Sequence, residues 1–226
     1  MSRPVVEPVE TVATPTLSTA AVDGVVWDFG QVLIRWDPLP AIAAGVGDAD
    51  ARAFLGSYDF GAWNHLQDAG RTWAEALRVL EEDMPQWLGA GAAYVDNFSL
   101  ALLGPVPGTH DLVRELAAAG TPQLGLTNWS AELYPHAPAT YDVIDLLRDV
   151  VVSGEVKLAK PDPAIYHLVA ERAGIPLERL AFVDDSPANV AAAAELGMRA
   201  FRFTDAQALR ADLRSLGLAV AAHAGS

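Results

Sequence analysis

The chain has 226 residues, enough for one large domain or a core carrying a smaller inserted one. Hydrophobic residues make up 51%, which excludes global disorder, and the lack of cysteine excludes disulfides and thiolate metal sites and suits a reducing, cytoplasmic setting. A formal net charge of -14 argues against nucleic acid or anionic lipid as partner, and no apolar run reaches the roughly 20 residues that span a bilayer.

Residues 1–21 are rich in Pro, Thr, Val and Ser and lack the apolar centre of a secretion signal, so they are predicted to form a loosely attached arm. The first strand is predicted over Asp23–Trp27, where Val25, Val26 and Trp27 have the content of a buried parallel strand. Asp28 then stands at the carboxyl end of that strand, where ligands bind in open α/β sheets. Gly30 lets the main chain turn sharply there and approach a ligand closely. Taken alone, a strand-end aspartate reads as readily as a turn cap.

Pro38 and Pro40 interrupt regular structure, and helical patterning follows. Helices are predicted over Ala51–Leu55, Trp73–Glu82 and Tyr94–Leu102; in the second, Trp73, Ala76, Leu77 and Leu80 share a face. Between the first two lies an aromatic cluster, Tyr58 to His65, in a turn-like context. Gly104 to Gly108 reads as a linker, Thr109 as the cap of the next helix, and Gly120 as its stop.

Strands and helices then alternate. Strands are predicted near Gln123–Thr127, Val150–Ser153, Leu180–Val183 and Ala200–Phe203. Helices are predicted near Tyr141–Leu147, Pro163–Ala173, Ala188–Leu196 and Ala206–Leu216. Such alternation implies a Rossmann-like α/β fold, a mostly parallel sheet with helices on both faces. The expected organisation is a catalytic core from 22–37 and 105–218, a small helical cap over 38–104, and a flexible tail over 219–226.

Four stretches place polar groups after strand-like segments or at a helix entry. They are Asp28 with Gly30, then Leu126-Thr127-Asn128, then Lys160-Pro161-Asp162-Pro163, then Val183-Asp184-Asp185-Ser186. Carboxylate, hydroxyl, lysine and paired carboxylates, in that order, resemble the four motifs of the haloacid dehalogenase-like hydrolase superfamily. The resemblance covers nearly all of Val22 to Leu218. Most members of that family are phosphatases with an aspartate nucleophile and magnesium. The resemblance implies Asp28 as nucleophile, able to form an aspartyl-phosphate and split hydrolysis into two easier steps. It implies that a Thr127 hydroxyl bonds a phosphate oxygen and that Lys160 balances charge during transfer. Asn128 and Trp129 are neighbouring candidates for substrate contact, and Trp129 reads equally as a packing residue. Lys157, nearby, reads as a solvated loop residue.

Asp184 and Asp185 beside Asp28 would oppose one another's ionisation, a conflict that a divalent cation removes. Magnesium suits oxygen ligands and a phosphate. The resemblance implies Asp28, the Gly30 carbonyl and Asp185 as direct ligands, Asp184 acting through water, and Asn189 as a group that orients the acidic pair. Asp185 reads also as the cap of the helix that Pro187 opens. No histidine cluster with zinc spacing, P-loop or Ser-centred nucleophile elbow is visible.

The pattern departs from the family at one place. Phosphatases of this family usually carry a second aspartate two residues after the nucleophile, as proton donor and base, and here that residue is Gly30. Asp37, Asp59 and His65 are the candidate replacements, and a substrate with a good leaving group would need less help from a general acid. Family members that dehalogenate 2-haloacids also lack the second aspartate; they use the same nucleophile without metal and lack the paired carboxylates. Related sugar-phosphate phosphatases share Asp-x-Gly. The expected function is magnesium-dependent hydrolysis of a small phosphorylated metabolite. The alternatives are a 2-haloacid dehalogenase and a catalytically impaired phosphometabolite-binding protein. Trp36, Tyr58, Phe60, Trp63 and His65 are candidates for a substrate pocket, though such aromatics are more often core.

Overall fold

The structure, a computed structural model, describes residues 21–222. The predicted arm lies outside them except for Ala21, as do residues 223–226 of the predicted tail. The strands are β1 (Gly24–Trp27), β2 (Ile34–Trp36), β3 (Leu102–Pro105), β4 (Gln123–Thr127), β5 (Asp149–Val152), β6 (Leu180–Asp184) and β7 (Arg199–Arg202). Five of them form one parallel sheet in the order β5-β4-β1-β6-β7, and β2 pairs antiparallel with β3.

Each central strand is apolar on both sides because both faces of the sheet are covered. The period-2 alternation decides which side chain goes where. Val25 and Trp27 of β1, with Ala181 and Val183 of β6, join the core on one face. Val26, Leu180 and Phe182 join the core on the other. At the β4 positions facing Trp27, Gln123 accepts from the Trp27 indole at 3.0 Å and donates to the Val113 carbonyl at 3.0 Å. Gly125 admits the Phe29 ring, which a β-carbon there would meet at 2.8 Å.

Between β2 and β3 runs a block of five helices: α1 (Leu39–Val46), α2 (Asp48–Ser57), α3 (Phe60–Asp68), α4 (Trp73–Asp83) and α5 (Leu88–Asp96). Its interior is aromatic, with Phe60 edge-on to Tyr94 at 5.0 Å and Trp63 edge-on to Trp73 at 5.3 Å. Thr72 and Glu75 form a reciprocal capping box that starts α4. Around the sheet lie α6 (Thr109–Ala118), α7 (His136–Thr140), α8 (Ser153–Val156), α9 (Pro163–Ala173), α10 (Pro187–Glu195) and α11 (Ala206–Ser215). No helix among the described residues is long and apolar enough to cross a membrane.

Several local expectations are corrected. The stretch from Tyr58 to His65 is not a turn: Asp59 accepts from the Ala62 N–H at 3.0 Å and caps α3. Pro40 does not prevent α1, because proline is tolerated in a first helical turn. The helix predicted over Tyr94–Leu102 ends at Asp96, and Leu102 opens β3. Tyr141–Leu147 is a 3-10 turn over Asp142–Leu146 following α7. Thr109 does not cap α6; Gly108 stands at the N-cap with φ +81°, and the Thr109 hydroxyl turns back to the Val106 carbonyl at 3.0 Å. Within the predicted tail, Val220 is buried and the Ala221 N–H donates to Glu115 at 2.7 Å.

The loop after β4 is held by close approach to α8. The Gly154 N–H donates to the Trp129 carbonyl at 3.0 Å. A β-carbon on Gly154 would lie 2.5 Å from the Ala131 nitrogen and 2.8 Å from the Trp129 oxygen. Both contacts are main chain, so neither can swing aside. Gly154→Ala is expected to lower stability by about 1–3 kcal/mol, read as a reduced urea midpoint with an unchanged slope.

Candidate active site

The sheet register brings the ends of β1, β4 and β6 together, with Trp27 flanked by Gly125 and Val183. Asp28 follows β1 directly, and its N–H donates to the Val183 carbonyl at 2.9 Å. Asp184 ends β6. Lys160 reaches in from the loop before α9 and is fully enclosed. Its ammonium donates to Asp28 Oδ1 at 2.7 Å, to Asp184 Oδ2 at 2.7 Å and to the Leu126 carbonyl at 2.8 Å. All three protons are thus used, which is the condition for burying a lysine without large cost.

Second contacts fix these groups. Asn128 accepts from the Lys160 N–H at 2.8 Å and donates to the Lys160 carbonyl at 2.9 Å. Both ends of its amide are therefore taken by the main chain that carries the lysine. Asp184 accepts from the Ser186 N–H at 2.8 Å, and the Asn189 amide donates to both of its oxygens at 3.1 Å. The acid that turns the chain into α10 is thus Asp184; Asp185 does not cap the helix, whose N-cap residue is Ser186.

Asp28, Asp184 and Asp185 each offer a carboxylate oxygen, and these oxygens lie within 4.8 Å of one another. Burial, the largest influence, with Asp184 and Asp185 acting against Lys160, pushes the Asp28 carboxyl from 3.8 up to about 7. Burial and Asp184 raise Asp185 as well. Burial works to lower Lys160, but Asp28 and Asp184 outweigh it and the ammonium is held above the ordinary lysine range. One ammonium stands against three carboxylates, so full ionisation leaves a surplus of negative charge. An all-oxygen set with that surplus fits a hard divalent cation such as magnesium.

Beside this cluster lies a cavity of about 130 Å³. Gly30, Thr127, Asn128 and Trp129 line it from the sheet, and Asn64, Asp68, Trp73 and Tyr94 from the helical block. Thr127 is buried at the end of β4. Trp129 both lines the cavity and packs edge-on against Phe98 at 5.7 Å. Lys157 is exposed, as expected. Trp36 lines the cavity, whereas Phe60 and Trp63 are core and His65 faces outward.

The candidate replacements for the missing acid are otherwise engaged. Asp37 accepts from the Leu39 N–H at 2.9 Å, and Asp59 caps α3. Sequence reasoning missed Asp68. It sits one turn after Asn64 on α3, and the Asn64 amide donates to it at 3.1 Å. Its signal, an i, i+4 polar pair on the inward face, is visible only once the segment is known to be helical.

Residues 22–197 match the profile of the haloacid dehalogenase-like hydrolases, and the chain belongs to that family; it is a hydrolase. A sesquiterpene phosphatase of Aspergillus oryzae is 26% identical over 200 residues, 84% of this chain and 94% of that protein. An (S)-2-haloacid dehalogenase of Pseudomonas putida is 33% identical over 96 residues, and the match spans only 42% of each chain. Among solved structures, a family enzyme of Bacteroides thetaiotaomicron in complex with magnesium and inorganic phosphate superposes with a TM-score of 0.64. It is 24% identical, with coverage of 81% of this chain and 95% of that one, a likeness of fold.

Removing the ammonium should expose the cost of the acidic cluster. Asp28 keeps its proton to about pH 7 when folded, but an unfolded aspartate loses it near 3.8. Folding therefore becomes less favourable as pH rises between those values, and the loss of Lys160 steepens the fall. With chelator present, Lys160→Met is expected to lose about 3–5 kcal/mol at pH 8 and clearly less at pH 5, by urea unfolding at the two values.

Proposed function

We propose that the protein is a magnesium-dependent phosphatase of small phosphate monoesters, with Asp28 as nucleophile. The observation that carries this reading is the meeting of Asp28, Asp184 and Asp185 around Lys160, next to a cavity that Gly30 and Thr127 line. The magnesium-bound Bacteroides enzyme and the fungal phosphatase support it.

Asp28, Asp185 and the Gly30 carbonyl would hold the cation, with Asp184 acting through water. When bound, magnesium supplies charge neutralisation for the acids and the phosphoryl group. The Asp28 carboxylate attacks phosphorus, the ester P–O bond breaks, and an aspartyl-phosphate forms. Water then attacks that phosphorus, releasing phosphate and restoring the carboxylate. Lys160 holds Asp28 in line and offsets the negative charge of transfer without reorganising. The Thr127 hydroxyl donates to a nonbridging phosphate oxygen. Asn189 and the Ser186 N–H keep Asp184 in one orientation, and Asn128 does the same for the main chain of Lys160.

The helical block from Leu39 to Ala101 serves as a cap. Its Trp73 ring closes on the core through a 2.9 Å bond from the indole to the Ser130 hydroxyl. Closure excludes water during attack by Asp28, and opening admits it for the second step. The indoles of Trp36 and Trp73 and the Tyr94 ring suit a substrate with a compact, largely apolar body.

A second reading, attack by the same Asp28 on the carbon of a 2-haloacid, draws on the dehalogenase relative. The two readings part on metal. Phosphate release from 4-nitrophenyl phosphate is expected to require magnesium and stop with chelator, and Asp28→Asn should reduce it by at least about a thousandfold. Halide release from 2-chloropropionate in the presence of chelator, with no phosphate release under either condition, would transfer the assignment to the dehalogenase.

A further inference from the structure

Within the phosphoryl-transfer reading, on which this inference rests, one side chain has no role yet. Asp68 lies at the end of α3, nine-tenths buried, and lines the same cavity as Gly30 and Thr127. Among the described residues it makes no ion pair; its side-chain partner is Asn64. A buried carboxylate without a counter-ion is costly, and such groups concentrate at functional sites. The cavity is open at position 30, where a second acid would stand. A β-carbon built on Gly30 meets nothing within 4 Å, and Gly30 is not in the left-handed region.

We propose that Asp68, carried in from the helical block, is the proton donor and acceptor of the reaction and serves in place of a side chain at position 30. In the first half-reaction the electron pair of the breaking ester P–O bond goes to the departing oxygen, which takes the Asp68 proton. In the second, the Asp68 carboxylate takes a proton from water as the water oxygen bonds phosphorus and the bond to Asp28 breaks. Each turnover returns both aspartates to their starting states. Burial, opposed by the Ser130 main chain, the Asn64 amide and the charge of Lys160, pushes the Asp68 carboxyl from 3.8 up to about 7. At neutral pH both of its forms are therefore populated, as a group that gives and then takes a proton requires. Asp28 adds its own charge in the raising direction.

Leaving-group chemistry separates this role from a packing role. Phenyl phosphate needs protonation of its leaving oxygen far more than 4-nitrophenyl phosphate does. Asp68→Asn is expected to lower kcat for phenyl phosphate by about 10²–10⁴-fold. With 4-nitrophenyl phosphate it should give a burst of one nitrophenolate per enzyme, then slow turnover. Mass spectrometry of acid-quenched protein should then find phosphate on Asp28. Gly30→Asp in the Asp68→Asn background should restore turnover. Asp68→Ser serves as a second variant if the first does not fold. Equal losses on both esters with no burst, or no loss at all, would overturn the role of Asp68 while leaving a working phosphatase. A wild-type protein that releases phosphate from no ester would overturn the phosphatase reading and this inference together.

Discussion

The Lys160 ammonium sits in a place where water cannot reach it, and three oxygens replace the hydration it gives up. Those oxygens come from the residue after β1, from β4 and from the last residue of β6. One cation therefore ties together the ends of three adjacent strands. A buried charge is tolerated only when its partners are fixed, so the contacts that fix them follow from it. Asn128 holds the backbone that delivers the lysine, and Asn189 and the Ser186 N–H hold one of its acids.

That arrangement leaves the acids in excess. Parallel strands in register place their carboxyl ends on one edge, so Asp28 and Asp184 cannot be separated without shifting the sheet. Asp185, next along, adds a third carboxylate that the lysine does not neutralise. The surplus is the physical reason for reading a cation into this edge, and phosphate is the ligand class that a cation and an ammonium together attract. Burial first, and the neighbouring acids after it, hold the Asp28 proton until neutral pH against the pull of Lys160.

The helical block plays a different part. Its aromatic interior is continuous with the core on one face of the sheet, and Trp73 and Tyr94 carry that core into the lining of the cavity. Buried aromatic surroundings raise the strength of every charge among them. Asp68 is exposed to that effect without a counter-ion, a position more costly than packing alone would justify. Gly30, lining the same cavity, supplies space instead of a carboxylate. The two residues make sense as a pair in one cavity, since a side chain absent at one position is matched by an acid without a counter-ion at the other.

The sequential order of the five parallel strands, and the places of Asp28, Thr127, Asp184 and Asp185 at their ends, were legible from the chain alone, whereas the short helices α7 and α8 were not. Buried parallel strands are short apolar runs bounded by polar residues, and their ends mark themselves. The helical block was less legible. Aromatics around Phe60 masked the start of α3, and prolines masked α1, because hydrophobic content at a helix start does not reveal its period. With α3 unread, the inward face carrying Asn64 and Asp68 could not be seen, and Asp37, Asp59 and His65 stood as candidates in its place. Asn128 showed the same limit: its position was readable, but both of its amide bonds go to a residue 32 places along the chain. Local sequence determined which residues could form strands, turns and acidic ends, since those depend on neighbours in the chain. Only the tertiary structure decided which acid meets an ammonium and which is held by neutral donors, because charge and burial depend on neighbours in space.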